Sequence, residues 1–191
     1  AYDRQLGSPA FRSEPMEVDA TIGTVDVKAR LVLAVDREEY HLDDSVHLRP
    51  VLVADKSKDG TRSSLEPKLK QNTQLKLSVE VQPKRREDGV LPPLRGLLVP
   101  DAQGKPAENC TAGVASVYAL HPRSLLEKDS QRPAQLDPGD QLRLTLTISV
   151  TTADKSQVDE TKVCIVMVRL TDLPSIAPPP AVYSLVTIDA G

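Results

Sequence analysis

The stretch from Gln141 to Val150 limits what this chain can become more than any other. Leu142, Leu144, Leu146, Ile148 and Val150 share one parity, while Arg143, Thr145, Thr147 and Ser149 share the other. Successive side chains of a strand point to opposite faces, so this alternation predicts a strand with one buried face. The run from Val163 to Leu170 is apolar at both parities except at Arg169. That pattern predicts a strand covered on both sides or placed centrally in a sandwich. The polar segment Thr151 to Thr161 joins the two arms, and together they predict a long antiparallel hairpin at the heart of an all-β domain. Its core would be Leu142, Leu144, Leu146 and Ile148 packed against Val163, Ile165 and Met167, or against the alternate set of the second arm.

Other strands follow from the same rule. Val25, Val27, Ala29, Leu31, Leu33 and Val35 mark a first strand, and Ser45 to Ala54 a second, in which Pro50 implies an edge or a bulge because it lacks a backbone donor. Gln74 to Val81, Leu94 to Val99, Ala112 to Leu120 and Val182 to Ile188 supply four more. Pro122 to Ser130 is expected as a short helix with Leu125 and Leu126 facing inward. Asp137-Pro138-Gly139-Asp140 is a turn, and Pro178 to Pro180 is a stiff polyproline spacer. The fold expected is an antiparallel β-sandwich of about eight strands, Greek-key or jelly-roll-like. Helical patterns between the strands, which an α/β fold needs, are absent from the sequence. Residues 1–20 hold Pro9, Pro15, and Phe11 and Met16 as isolated apolar residues, and they are expected as an extended arm before a single domain over 21–191. Phe11 and Met16 would anchor that arm on a neighbouring subunit.

A chain of 191 residues is long enough to bury one sizeable core. With one Phe and no Trp, that core must be aliphatic, and platforms for stacking nucleic-acid bases are lacking. The net charge of -3 supplies no basic field for nucleic acid or an anionic membrane. No apolar run nears the roughly 18 residues of a membrane-spanning helix, and the first residues show no signal-peptide pattern. Cys110 and Cys164 are expected as two reduced, buried thiols, with a single bridge between facing strands as the alternative.

Asp55, Ser57, Asp59, Gly60 and Glu66 occupy positions 1, 3, 5, 6 and 12 of a twelve-residue stretch. In this it resembles the calcium loop of EF-hand proteins, whose side-chain oxygens converge on one cation and whose glycine permits the sharp turn. The resemblance implies a calcium site. It departs at position 8, where Arg62 replaces an aliphatic residue, and Pro67 follows where a helix should start, so a solvated charged loop is the expectation. His41, Asp43 and His47 have even separations that suit a metal site on one face of a strand, but zinc needs a further ligand, and they are expected as exposed polar residues. Lys84-Arg85-Arg86 is offset at once by Glu87 and Asp88 and is expected as a solvated loop. Asn109-Cys110-Thr111 fits the glycosylation pattern, which matters only in a secreted chain. The sequence holds no nucleophile elbow, P-loop or dinucleotide fingerprint.

These observations lead to no catalytic, cofactor-binding or metal-ligating residue. The expected function is a non-enzymatic structural subunit that assembles with copies of itself or other coat subunits, as a viral capsid or coat-associated protein does, with the virion as its location. The link from fold to function is analogy. The alternatives are an immunoglobulin-like protein-binding module and a hydrolase on a β-scaffold.

Overall fold

The computed structural model describes residues 11–54, 66–151 and 158–173. Thirteen strands occur among them: β1 (Met16–Ile22), β2 (Val25–Val35), β3 (Glu39–His41), β4 (Val46–Ala54), β5 (Lys68–Leu69), β6 (Thr73–Gln82) and β7 (Arg95–Pro100), then β8 (Pro106–Ala107), β9 (Cys110–Ala112), β10 (Tyr118–Leu120), β11 (Leu126–Glu127), β12 (Gln141–Thr151) and β13 (Val158–Thr171). They form two sheets. The first has the order β10-β4-β2-β1-β5 and the second β11-β7-β6-β12-β13-β3, with β8 on β7 and β9 on β6. The result is an all-β sandwich. Its pairing is antiparallel except that the three residues of β3 run parallel to the end of β13.

The hairpin of β12 and β13 is the centre of the second sheet. Leu144 sits opposite Val166 and Leu146 opposite Cys164, while β6 flanks β12 on its other side. Leu142, Leu144, Leu146 and Ile148 are all buried. On β13 the inward residues are Cys164, Val166, Val168 and Leu170, so the alternate set faces the core and Val163, Ile165 and Met167 face away. Each sheet contributes one aliphatic inner face: Ala29, Leu31, Leu33 and Val35 of β2 meet the leucines of β6 and β12 in one continuous cluster. Gly23, at φ 63°, turns β1 into β2 in a conformation that side chains with a Cβ resist.

Several local expectations are corrected. Met16–Ile22 pairs along its whole length with β2, and Val18 and Ala20 are buried, so the last part of the expected arm is a sheet strand. Phe11 and Met16 are partly buried against the chain's own core. The segment Ala112 to Leu120 is two strands, because the chain turns at Gly113 and at Ala115, whose φ is 65°. That turn carries it from β6 in the second sheet to β4 in the first. Pro122 to Ser130 is a single 3-10 turn at Pro122–Ser124 followed by β11. Leu125 is buried and extended at ψ 137°, and Leu126 already pairs with Leu98. The expectation for Pro50 holds locally: it pairs with Leu33 on one side, while β10 pairs β4 only at Val46–Leu48, which leaves the other side of Pro50 at an edge among the described residues. Its carbonyl accepts from Ala115 N on the side away from β2, so its missing N–H points where β10 has already ended, and no ladder bond is lost.

The expected turn at Asp137 to Asp140 is present and does more than reverse the chain. The nearly solvent-free Asp140 carboxylate accepts from Lys84 N at 2.8 Å and from Asp137 N at 2.9 Å. Its backbone carbonyl accepts from Leu170 N, while Gly139 N donates to Leu170 O. The buried carboxylate therefore fastens the start of β12 to the end of β6, the backbone of Gly139 and Asp140 fastens it to β13, and the carboxylate's backbone-amide partners offset the cost of burying it.

Candidate functional site

The sharpest sequence motif, Asp55 to Glu66, falls almost wholly outside the described residues, as do Val182 to Ile188 and Pro178 to Pro180. His41, Asp43 and His47 are described: His41 and Asp43 stay in contact, with 3.6 Å between His41 Nδ1 and an Asp43 carboxylate oxygen, while His47 turns away from them. His41 Nδ1 accepts from Asp43 N at 3.1 Å. Asp43 pairs with Arg123 at 2.5 Å, and that guanidinium holds its carboxyl below the usual carboxylate range. His47 turns to another acid, 3.8 Å from Asp36. No group of three or more His, Cys, Asp or Glu among the described residues is arranged to hold a metal ion.

Asp36 and Asp140 are the two buried carboxylates among the described residues, and Asp36 lies nearest the histidines. Asp36 directly follows β2, and its carboxylate accepts a hydrogen bond from the hydroxyl of Tyr40, a fully buried residue of β3. Tyr40 Oη in turn accepts from Arg37 N at 3.0 Å, and the Arg37 guanidinium lies over the ring at 5.6 Å. Burial first, and then the hydrogen bond to Asp36, push the Tyr40 phenol well above its ordinary value. Asp36 belongs to the first sheet and Tyr40 to the second, so this bond locks the crossover between layers. The phenol is buried and its proton is engaged by Asp36.

Lys84, Arg85 and Arg86 are exposed in a loop, where Arg85 Nε donates to Gly89 O. Both cysteines are free thiols, and burial raises the pKa of each, which disfavours the nucleophilic thiolate. Asn109 and Thr111 are exposed at the approach to β9.

What stands out is the outer face of β13. Val163 is 42% exposed and Met167 37% exposed, with the half-buried Ile165 between them. Their neighbours across the ladder are Thr147, Thr145 and Arg143, and beyond those come Lys76, Ser78 and Glu80 of β6. Across β6, β12 and β13 the apolar residues of this face are thus confined to β13. Among the described residues β13 pairs on its second side only at Arg169–Thr171, which leaves Val158–Val168 as an open edge. The direction of its backbone groups follows from the pairing that exists. Arg169 N donates to Glu38 O and Thr171 O accepts from Leu42 N, both away from β12, whereas Leu170 N donates to Asp140 O on the other side. Odd positions therefore aim N–H and C=O at the open edge, and Val163, Ile165 and Met167 carry both the exposed apolar side chains and the edge-facing peptide groups. The double-parity apolar run was the sequence signal for this site, read there as a strand covered on both faces. Against this geometry, no protein-family model matches the chain, and no curated protein matches it as a relative by sequence.

Proposed function

We propose that the chain is a non-enzymatic structural subunit that works by associating with protein, copies of itself first, and that a capsid or coat-associated role in the virion is the specific form of this reading. One observation carries it: the stripe of Val163, Ile165 and Met167 beside a strand edge that is open among the described residues. Apolar side chains on a half-solvated face cost free energy unless something covers them, and an unpaired edge is a template for another strand. A surface of this kind supports an interface more than it supports a reaction. The test is light scattering coupled to gel filtration on the full chain over a wide concentration range. The expected result is a species larger than one chain whose size grows with concentration or closes at a defined particle. A monodisperse monomer throughout would overturn the reading and leave the immunoglobulin-like binding module in its place.

A further inference from the structure

We infer that Val90–Leu94 is a preformed polyproline ligand for the aromatic groove of a proline-recognising domain of the WW class. This goes beyond the self-associating reading and stands on a different part of the molecule. Val90-Leu91-Pro92-Pro93-Leu94 links β6 to β7 and lies outside every strand and helix. Each proline ring fixes its own φ near about -65°. A residue that precedes a proline is pushed to an extended ψ, and this governs both Leu91 and Pro92. Together the restraints select the polyproline II helix, which has about three residues per turn and no internal hydrogen bonds.

That period sorts the side chains onto three edges. Val90 and Pro93 share one, Leu91 and Leu94 the second, and Pro92 and Arg95 the third. The exposures divide in the same way. Val90 is 62% exposed, Leu91 56% and Leu94 38%; Pro93 is exposed as well, and Pro92 alone of the five is half-buried. The third edge is thus the one turned to the domain. There Gln82 Nε2 donates to Pro92 O, and Arg95 opens β7 opposite Val81. The other end is fixed by a turn, in which Gly89 N donates to Arg86 O and Val90 N to Asp88 Oδ1. The segment is held at both ends and offers two apolar edges to solvent. Proline-recognising grooves take a helix of this kind between aromatic rings, and its preset backbone leaves little entropy to lose on docking. Pairing with another strand is a poor alternative, because Pro92 and Pro93 supply no N–H to a ladder. Two adjacent prolines without a third at the PxxP spacing suit a WW groove better than an SH3 groove.

The experiment titrates the full chain against an array of isolated, fluorescently labelled WW domains and follows binding by polarisation. The expected result is saturable binding to members of the array. The double variant Pro92→Ala/Pro93→Ala should weaken it about tenfold or more, as loss of a hot-spot contact does. Val117→Ala, which alters an exposed apolar residue elsewhere, should leave it unchanged. Replacing the groove tryptophan of the bound domain by alanine should abolish binding, and this arm leaves the present chain intact, so a misfolded variant does not block the decision. No binding anywhere in the array would overturn the inference. Binding that survives the double variant would overturn it too, and would assign recognition to the other proline run, Pro178–Pro180. Either failure leaves the self-associating reading standing.

Discussion

The two strands of the central hairpin share an inner face and differ on the outer one. Both bury aliphatic side chains toward the first sheet, and all eight inward positions from Leu142 to Ile148 and from Cys164 to Leu170 are buried. Outside, β12 shows Arg143, Thr145, Thr147 and Ser149, while β13 shows Val163, Ile165 and Met167. The reason lies in their places in the sheet. β12 has strands on both sides, so its backbone is satisfied and its outer face needs only to be compatible with water. β13 lacks a partner along most of one side among the described residues, and that is where the outer face turns apolar. An inner face reports on folding, whereas an outer face that departs from its neighbours reports on contact.

Substitutions on the two faces should separate these roles. Leu144→Ala removes buried methyl groups where both sheets converge, and it should lower the unfolding free energy by about 2–5 kcal/mol in denaturant melts. A loss below about half a kcal/mol would place that face in solvent and erase the contrast.

Next in size is the bolt between the sheets. Tyr40→Phe removes a buried hydroxyl and leaves the Asp36 carboxylate short of a donor, so a loss of about 1–3 kcal/mol is expected. The same residue gives a pH signature. Its folded-state pKa lies above the unfolded value of about 10, so its contribution is complete below that pH and fades as pH rises beyond it. Wild type should lose stability above pH ~10 more steeply than Tyr40→Phe does. Parallel alkaline slopes for the two proteins would show that the phenol is not held in its protonated form.

The smallest effect belongs to the outer stripe. Val163→Thr should change the stability of a single folded chain by no more than about half a kcal/mol, as surface substitutions do, while it lowers the apparent association measured by light scattering. A stability loss comparable with that of Leu144→Ala would mean that Val163 lies in a core and that the two faces of β13 do not differ in kind.

Much of this fold was legible because alternation is a local property. The parity of Gln141 to Val150 determines by itself which leucines can share a face, and Asp137 to Asp140 states its turn through proline and glycine. The same holds for Gln74 to Val81, which is strand β6 almost residue for residue. The candidate surface was only half legible. Val163 to Val168 is apolar at both parities, so the sequence had no means of choosing which set faces the core.

What the sequence determined, then, is a set of strands and the inner face of one of them. What tertiary structure decided is where the short or ambiguous pieces went. Tyr118–Leu120 joined the first sheet because the turn at Gly113 and Ala115 redirected the chain. Glu39–His41 became a parallel cap on β13 because Tyr40 bonds back to Asp36 across the layers. Met16–Ile22 became a strand because β2 offered it a ladder. Three-residue strands carry too few side chains to show a period, and their partners lie far away along the chain. Pairing energy, unlike alternation, exists only once the partner is in place.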